Sequence, residues 1–286
     1  MPGTVSGTSG GTWSINYIPM PAYQPVKPKK RLGQHFLKDD SIAEKVAGSL
    51  TGHGGYDLVV EVGPGTGALT KYLVDHPDFR WMGVEVDRES VDFLRKTYPV
   101  LADHVLEKDF LRLDVTRYFG DGQFAVAGNF PYNISTQILF KVLEHRDQVP
   151  ELVGMFQKEV AQRIASGPGN KVYGILSVLV QAFYEVELLF QVSEHVFDPP
   201  PKVKSAVIRI KRREDFSLAC DEKKFFVLVK TAFNQRRKTL RNALRSMNID
   251  WEQVPDHLSG LRAERLEVKD FVQLVNAVGI SSSHNQ

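Results

Sequence analysis

Asn129-Phe130-Pro131-Tyr132 sets a carboxamide, a rigid imino acid and an aromatic ring in consecutive positions. An exocyclic aromatic amine is a poor nucleophile because its lone pair is delocalised into the ring. Two acceptors placed against its N–H bonds, the Asn129 side-chain oxygen and the Phe130 backbone carbonyl, favour a pyramidal nitrogen and aim its lone pair. They also stabilise the positive charge that grows as the nitrogen attacks. No strong general base is needed for this chemistry. Pro131 stiffens the turn that presents both acceptors, and Tyr132 offers a face on which a planar base stacks. Taken alone, the segment also reads as an ordinary turn at the end of a strand.

Upstream, the apolar run Leu58 to Val62 leads into Gly63-Pro64-Gly65-Thr66-Gly67, and a helical pattern from Ala68 to Val74 follows. Gly63 and Gly65 let the backbone come close to a nucleotide-like ligand. The spacing is G-x-G-x-G, not the G-x-G-x-x-G that seats a pyrophosphate on a helix N-terminus, so a ligand without a pyrophosphate is expected. By itself the turn is also compatible with a nicotinamide or flavin site, or with a purely structural role. Glu85 closes the next apolar run, roughly 20 residues on, where a carboxylate accepts both hydrogens of a ribose diol. Asp109, after the third run, is placed to accept from an adenine amino group, although in isolation it is an ordinary loop residue. In this order the two motifs point to an S-adenosylmethionine-dependent enzyme that methylates the amino group of a nucleobase.

Phe197 precedes Asp198-Pro199-Pro200-Pro201-Lys202-Val203-Lys204-Ser205. A proline run is often a mere connector, but a rigid loop also holds an aromatic over an extruded base. Phe197 is therefore expected to be the second wall of the base pocket, opposite Tyr132. His35 has no carboxylate or second histidine at ligand spacing, and is read as a cofactor-side hydrogen bonder or a packed residue. The single cysteine, Cys220, excludes an intrachain disulfide and a cysteine-rich zinc site, and no metal is expected.

The formal net charge of +2 hides an uneven distribution. Between Pro199 and Arg245 there are 14 Lys and Arg against 4 Asp and Glu, and a second basic cluster comprises Lys27, Lys29, Lys30 and Arg31. Such clusters often decorate solvated helix faces. Here they flank the candidate site, as a polyanion partner requires. Lys202, Lys204, Arg236, Arg237, Lys238 and Arg241 are the expected phosphate contacts. One stacked base with many phosphate contacts suits a folded RNA with an accessible loop.

These residues need a frame. Apolar runs at Leu58 to Val62, Trp81 to Val86, Val105 to Lys108, Phe124 to Ala127, Leu152 to Phe156, Val186 to Phe190 and Ala206 to Ile210 alternate with helical segments. That rhythm predicts an α/β fold with a mostly parallel sheet covered on both faces. Beyond Arg213 the pattern is helical, with Phe225, Phe226, Val229 and Phe233 at helical spacing. The expected organisation is a disordered tail over 1–25, a methyltransferase domain over 26–212 and a small helical RNA-binding domain over 213–286, to which the resemblance given below adds docking on the ribosome. The apolar stretch from Gly174 to Phe190 is broken by Gln181, Glu185 and Glu187, and the N-terminus lacks a signal-like core, so a soluble, cytoplasmic protein is expected.

The combination Arg31-Leu32-Gly33-Gln34-His35-Phe36-Leu37, Glu61-Val62-Gly63-Pro64-Gly65, Asn129 to Ser135, Pro199 to Val207 and Phe233 to Lys238 resembles the ribosomal RNA adenine N6,N6-dimethyltransferase family, from Lys30 to about Val278. The resemblance implies a seven-stranded, Rossmann-like methyltransferase sheet with a last antiparallel strand and a small all-helical C-terminal domain. It implies cofactor contacts at His35, Leu37, Gly63, Glu85, Asp109 and Asn129. It also implies four methyl transfers, two on each of two adjacent adenines near the 3′ end of small-subunit ribosomal RNA, coupled to biogenesis of the subunit; a monomer is expected. His35 stands where the family often has Asn, and Phe130 where it often has Leu. The alternatives are the related large-subunit enzymes of the macrolide-resistance type and a non-catalytic assembly or transcription factor on the same fold. The Phe233 to Lys238 segment favours the small-subunit enzymes. The intact glycines, Glu85, Asp109 and the Asn129 turn argue for activity.

Overall fold

Seven apolar runs become the seven strands of one sheet. The structure, a computed structural model, describes residues 26–279. The tail expected over 1–25 lies outside the described residues. The strands are β1 Phe36–Leu37, β2 Leu58–Val62, β3 Arg80–Glu85, β4 Val105–Glu107, β5 Ala125–Asn129, β6 Glu151–Gln157, β7 Tyr184–Val192, β8 Phe197–Asp198 and β9 Ser205–Arg212. Each expected run is present, with its ends moved by a residue or two. The large sheet has the order β4-β3-β2-β5-β6-β9-β7, parallel through β6, with β9 antiparallel to both of its neighbours.

The helices are α1 Asp40–Ala47, α2 Thr70–Leu73, α3 Arg88–Thr97, α4 Val115–Phe119, α5 Ser135–Glu144, α6 Lys158–Ala165, α7 Ile175–Gln181, α8 Glu222–Asn234, α9 Leu240–Ala243, α10 Asp256–Ser259 and α11 Val268–Asn276. Their starts follow the capping chemistry of the sequence: Asp39 accepts from the Ile42 amide and Asp221 from that of Lys224.

Strand side chains alternate between two apolar layers, as a period of two requires. Val59, Ala125, Val153 and Val207 join Val46, Leu73 and Leu94 on one face. Val60, Val126, Leu152 and Ile208 join Ile138 and Leu179 on the other. Every residue of β2 is buried because both faces are covered. In β7 a register shift between Leu188 and Phe190 changes which face the side chains take: Val186 and Leu188 pack on the second layer, Leu189 and Phe190 on the first.

Among the described residues the C-terminal helices share one core with the sheet. Phe225, Leu228, Val229 and Phe233 of α8 and Phe271 of α11 belong to the same continuous apolar cluster as β2, β5 and β6. The chain passes from β2 to β3 on one side, while β5 lies on the other. The strand order therefore reverses at β2, which opens a crevice at the carboxyl ends of β2 and β5, where open α/β sheets bind ligands.

One feature has no counterpart among the expected strands. β1 pairs with β8, Leu37 opposite Phe197, and ties the N-terminal segment to the loop ahead of β9. Strands of two residues are too short to carry a periodic signal.

Candidate active site

The crevice holds a cavity of about 200 Å³. Gly63 and Gly65 lie in its floor with φ of +72° and +56°, a region that disfavours any side chain. A Cβ on Gly65 would also come within 3.0 Å of the Phe36 ring, so the turn and the N-terminal segment are in contact. Glu85, at the end of β3, is 4% exposed. One carboxylate oxygen accepts from the Gly65 amide at 3.0 Å, the other from the Val86 and Asp87 amides at 2.9 Å. Burial pushes its pKa up, and the amides of Asp87, Gly65 and Val86 oppose that rise. These bonds fix the carboxylate in the cavity wall, with lone pairs left for a ligand. Asp109 lines the same wall and accepts from the Leu111 amide at 3.0 Å.

Two members of the floor carry no expectation from the sequence. Glu61 is 1% exposed and accepts from the Thr70 hydroxyl at 2.7 Å and the Trp81 indole at 2.9 Å. Burial pushes its pKa up to about 7 against the pull of those two donors, and Glu85 nearby adds to the rise. The only sequence signal for it was a carboxylate inside an otherwise apolar strand. The hydroxyl of Thr66 is buried and has no hydrogen-bond partner among the described residues. Thr66 lines the cavity. An unmet polar atom beside a bare glycine turn, with carboxylates at the ends of two strands, fits a nucleoside-bearing ligand.

Residues 29–37 form a strap along the cavity. Lys29 bonds Asp87 at 2.5 Å and Glu89 at 3.0 Å, and its amide donates to the Gln34 side chain at 2.9 Å. Leu37 is buried beside Phe197 in the β1–β8 pair, and both His35 and Leu37 line the cavity. The His35 carbonyl accepts from Asn129 Nδ2 at 3.0 Å. Its ring Nδ1 lies 2.7 Å from the Pro199 carbonyl, which can only accept, so Nδ1 carries the proton.

Asn129 ends β5, and Phe130, Pro131 and Tyr132 follow it along the cavity. Because Asn129 Nδ2 is held by His35, Oδ1 is the atom left to accept from a ligand. The Phe130 ring is 1% exposed and packs edge-on against Phe156, in space left by two glycines. A Cβ on Gly154 would fall 2.1 Å from that ring. The side chain is thus an anchor, and only the Phe130 backbone is available to the cavity. Tyr132 stacks on His35 at 5.5 Å and 29°, and its hydroxyl lies 2.5 Å from that of Ser205. Burial raises the Tyr132 pKa, and the phenol stays neutral.

The structure corrects two expectations. Phe197 does not line the cavity: it is 1% exposed and belongs to the apolar layer that includes Met155, Val192 and Val207. β8 pairing turns its ring inward, and the ring facing Tyr132 is that of His35. Arg236 is not a free phosphate contact, because it pairs with Glu264 at 2.8 Å and also donates to the Lys171 carbonyl. Lys202, Lys204, Arg237 and Lys238 are exposed, and none forms an ion pair among the described residues. Arg241 is exposed and lies 5.6 Å from the centre of the Trp251 ring.

A family model described as ribosomal RNA adenine dimethylase matches residues 26–278. A Cytophaga hutchinsonii protein named ribosomal RNA small subunit methyltransferase A is 54% identical over 253 residues, covering 88% of this chain and 98% of the relative. A Bacteroides thetaiotaomicron protein of the same name is 55% identical over 254 residues, covering 88% and 94%. Among solved structures, a dimethyladenosine transferase from Plasmodium falciparum matches with a TM-score of 0.70 at 25% identity, over 84% of this chain and 96% of that one. The 23S rRNA methyltransferase ErmE matches with a TM-score of 0.66 at 23% identity, over 85% and 99%, a likeness of fold.

Proposed function

The chain belongs to the ribosomal RNA adenine dimethylase family, and from that premise we propose that it transfers methyl groups from S-adenosylmethionine to N6 of two adjacent adenines near the 3′ end of small-subunit ribosomal RNA. The cofactor supplies an electrophilic methyl on sulfonium sulfur when bound. Glu85 would hold the ribose diol, Asp109 would accept from the cofactor's adenine amine, and the Gly63–Gly67 turn leaves room for the rest of the molecule. Leu37 and the His35 backbone close the opposite side. Asn129 Oδ1 and the Phe130 carbonyl accept the two N–H bonds of the target amine, so its lone pair points at the methyl carbon. Tyr132, neutral and fixed by Ser205, supports the target ring. The amine nitrogen that takes the methyl would become cationic beside these two acceptors, and its surplus proton would leave to solvent. The second transfer uses the hydrogen that remains on the monomethylated amine.

One observation carries this reading. The bond from Asn129 Nδ2 to the His35 carbonyl leaves Oδ1, an acceptor, at the end of β5. A carboxamide turned the other way would present a donor to an amine.

The C-terminal region, 213–286, is proposed as the part that docks on RNA and the subunit, with Lys202, Lys204, Arg237, Lys238 and Arg241 on phosphates. The place of action is the cytoplasm, and the working unit a monomer. The test is transfer of labelled methyl from S-adenosylmethionine to unmethylated small subunits, with primer extension to locate the product. Stops at two adjacent adenines near the 3′ end are expected; label only in large-subunit RNA would overturn the assignment.

A further inference from the structure

A second concavity, of about 600 Å³, opens between α5, the loop ahead of α7 and α8. We propose that it receives the RNA strand adjoining the target adenine, taking an unpaired nucleotide with its base on the apolar floor and its phosphates on Arg163, Lys171 and Lys230. The inference rests on the reading above and adds a site to it.

Charge is the first argument. Among the described residues no Asp or Glu lines the groove, whereas Arg163, Lys171 and Lys230 do. All three are exposed, and none forms an ion pair among the described residues. In a chain with 36 basic and 34 acidic residues, such a grouping leaves like charges to repel one another unless an anion arrives. The fourth cation, Arg236, has a different task. It is neutralised by Glu264 and donates to the carbonyl of Lys171, so it fixes the loop that carries Lys171.

The floor is the second argument. Phe140, Val172 and Ile175 line the groove, and Val172 is 40% exposed. A site for phosphate alone needs no apolar surface, whereas single-stranded nucleic acid uses cations along the backbone and aromatic or apolar faces under the bases. The volume lies within the range of sites that enclose small organic ligands.

Position is the third. Asn133 and Ile134 line the target cavity, and Thr136, in the first turn of α5, lines the groove. Ile134 and Thr136 are neighbours but one in the chain, so the start of α5 borders both openings, and a strand whose adenine enters the first is led toward the second.

The test uses full-length protein and a hairpin RNA with two adjacent adenines in its loop, and follows affinity across a series of salt concentrations. The variant R163Q/K171Q/K230Q is expected to bind about tenfold more weakly, with a slope of log K against log salt shallower by about 2, as three single-strand phosphates predict. A control with three other exposed cations removed, R88Q/K96Q/R117Q, keeps the wild-type slope, and calorimetry shows unchanged cofactor affinity in both. If the triple variant loses cofactor affinity, the single variant K230Q is read instead, with an expected change in slope of about 0.7. Equal affinity and slope in wild type and groove variant, with wild type still methylating RNA, would overturn the groove while leaving the proposed function intact. Wild type that methylates neither this RNA nor small subunits overturns the proposed function itself. Weaker binding to assembled subunits alone, with unchanged affinity for naked RNA, assigns the groove to a ribosomal protein and also overturns the proposal.

Discussion

Lys29 and Lys230 stand in the two basic stretches of the sequence, and the structure uses them in opposite ways. Lys29 is clamped between Asp87 and Glu89, and its bond to Asp87 is the largest cause of its raised pKa. Lys230 faces a groove without a carboxylate in its lining. The first region satisfies its polar groups internally and so holds a shape; the second leaves its cations for a partner. Charge density along a chain does not separate the two, because the neutralising acids lie far away in sequence. Lys29 and Asp87 are 58 positions apart, and Arg236 and Glu264 28.

The largest expected effect lies in the internally bonded region. Asn129→Ala should lower turnover about 10²- to 10³-fold, the scale of losing one preorganised acceptor or donor at a developing charge. Binding of subunits should stay near wild type in sedimentation, and undiminished turnover would remove Asn129 from the mechanism.

Next is Glu61. Its folded pKa of about 7 lies above the ordinary 4.5, so between those pH values the folded protein binds more protons than the unfolded chain. The stabilisation is complete below about pH 4.5 and is lost as pH rises through about 7. Glu61→Gln, which keeps an acceptor for Thr70 and Trp81, should therefore abolish about 3 kcal/mol of pH-dependent stability. Chemical denaturation of both proteins at pH 5 and pH 8 measures the difference, and parallel profiles would contradict it.

Lys29→Gln should loosen the strap and weaken cofactor binding by about 1 kcal/mol, roughly fivefold, with the salt slope for RNA unmoved. A changed slope would erase the contrast with Lys230. The smallest effect distinguishes neighbours: Arg237→Gln should lower the RNA salt slope by about 0.7, whereas Arg236→Gln should act on thermal stability through Glu264 and the Lys171 loop. Equal slopes for the two variants would mean that the ion pair opens on RNA binding.

The strands were legible in the sequence because alternating or continuous apolar runs bounded by turn residues leave few other solutions. The cavity was legible wherever a residue type answered to a backbone position, as Gly63, Gly65, Glu85 and Asn129 do at strand ends. Phe197 was misjudged because a proline-rich loop suggests exposure, whereas a pairing of two residues with β1 buries the ring. The unmet hydroxyl of Thr66 and the raised pKa of Glu61 arise from three-dimensional burial, which no local pattern encodes. The orientation of the Asn129 amide depends on the His35 carbonyl, 94 positions away.

The sheet is completed from within. β9, the last strand to be made, lies between β6 and β7, so β7 reaches the sheet only through a neighbour synthesised after it. β8, which secures Leu37, belongs to the same late stretch. A nascent chain stopped short of residue 205 therefore has an apolar strand without a partner and an open β6 edge, the kind of surface that recruits other chains. The segment that secures Leu37 is thus made only a few residues before the strand that removes this hazard.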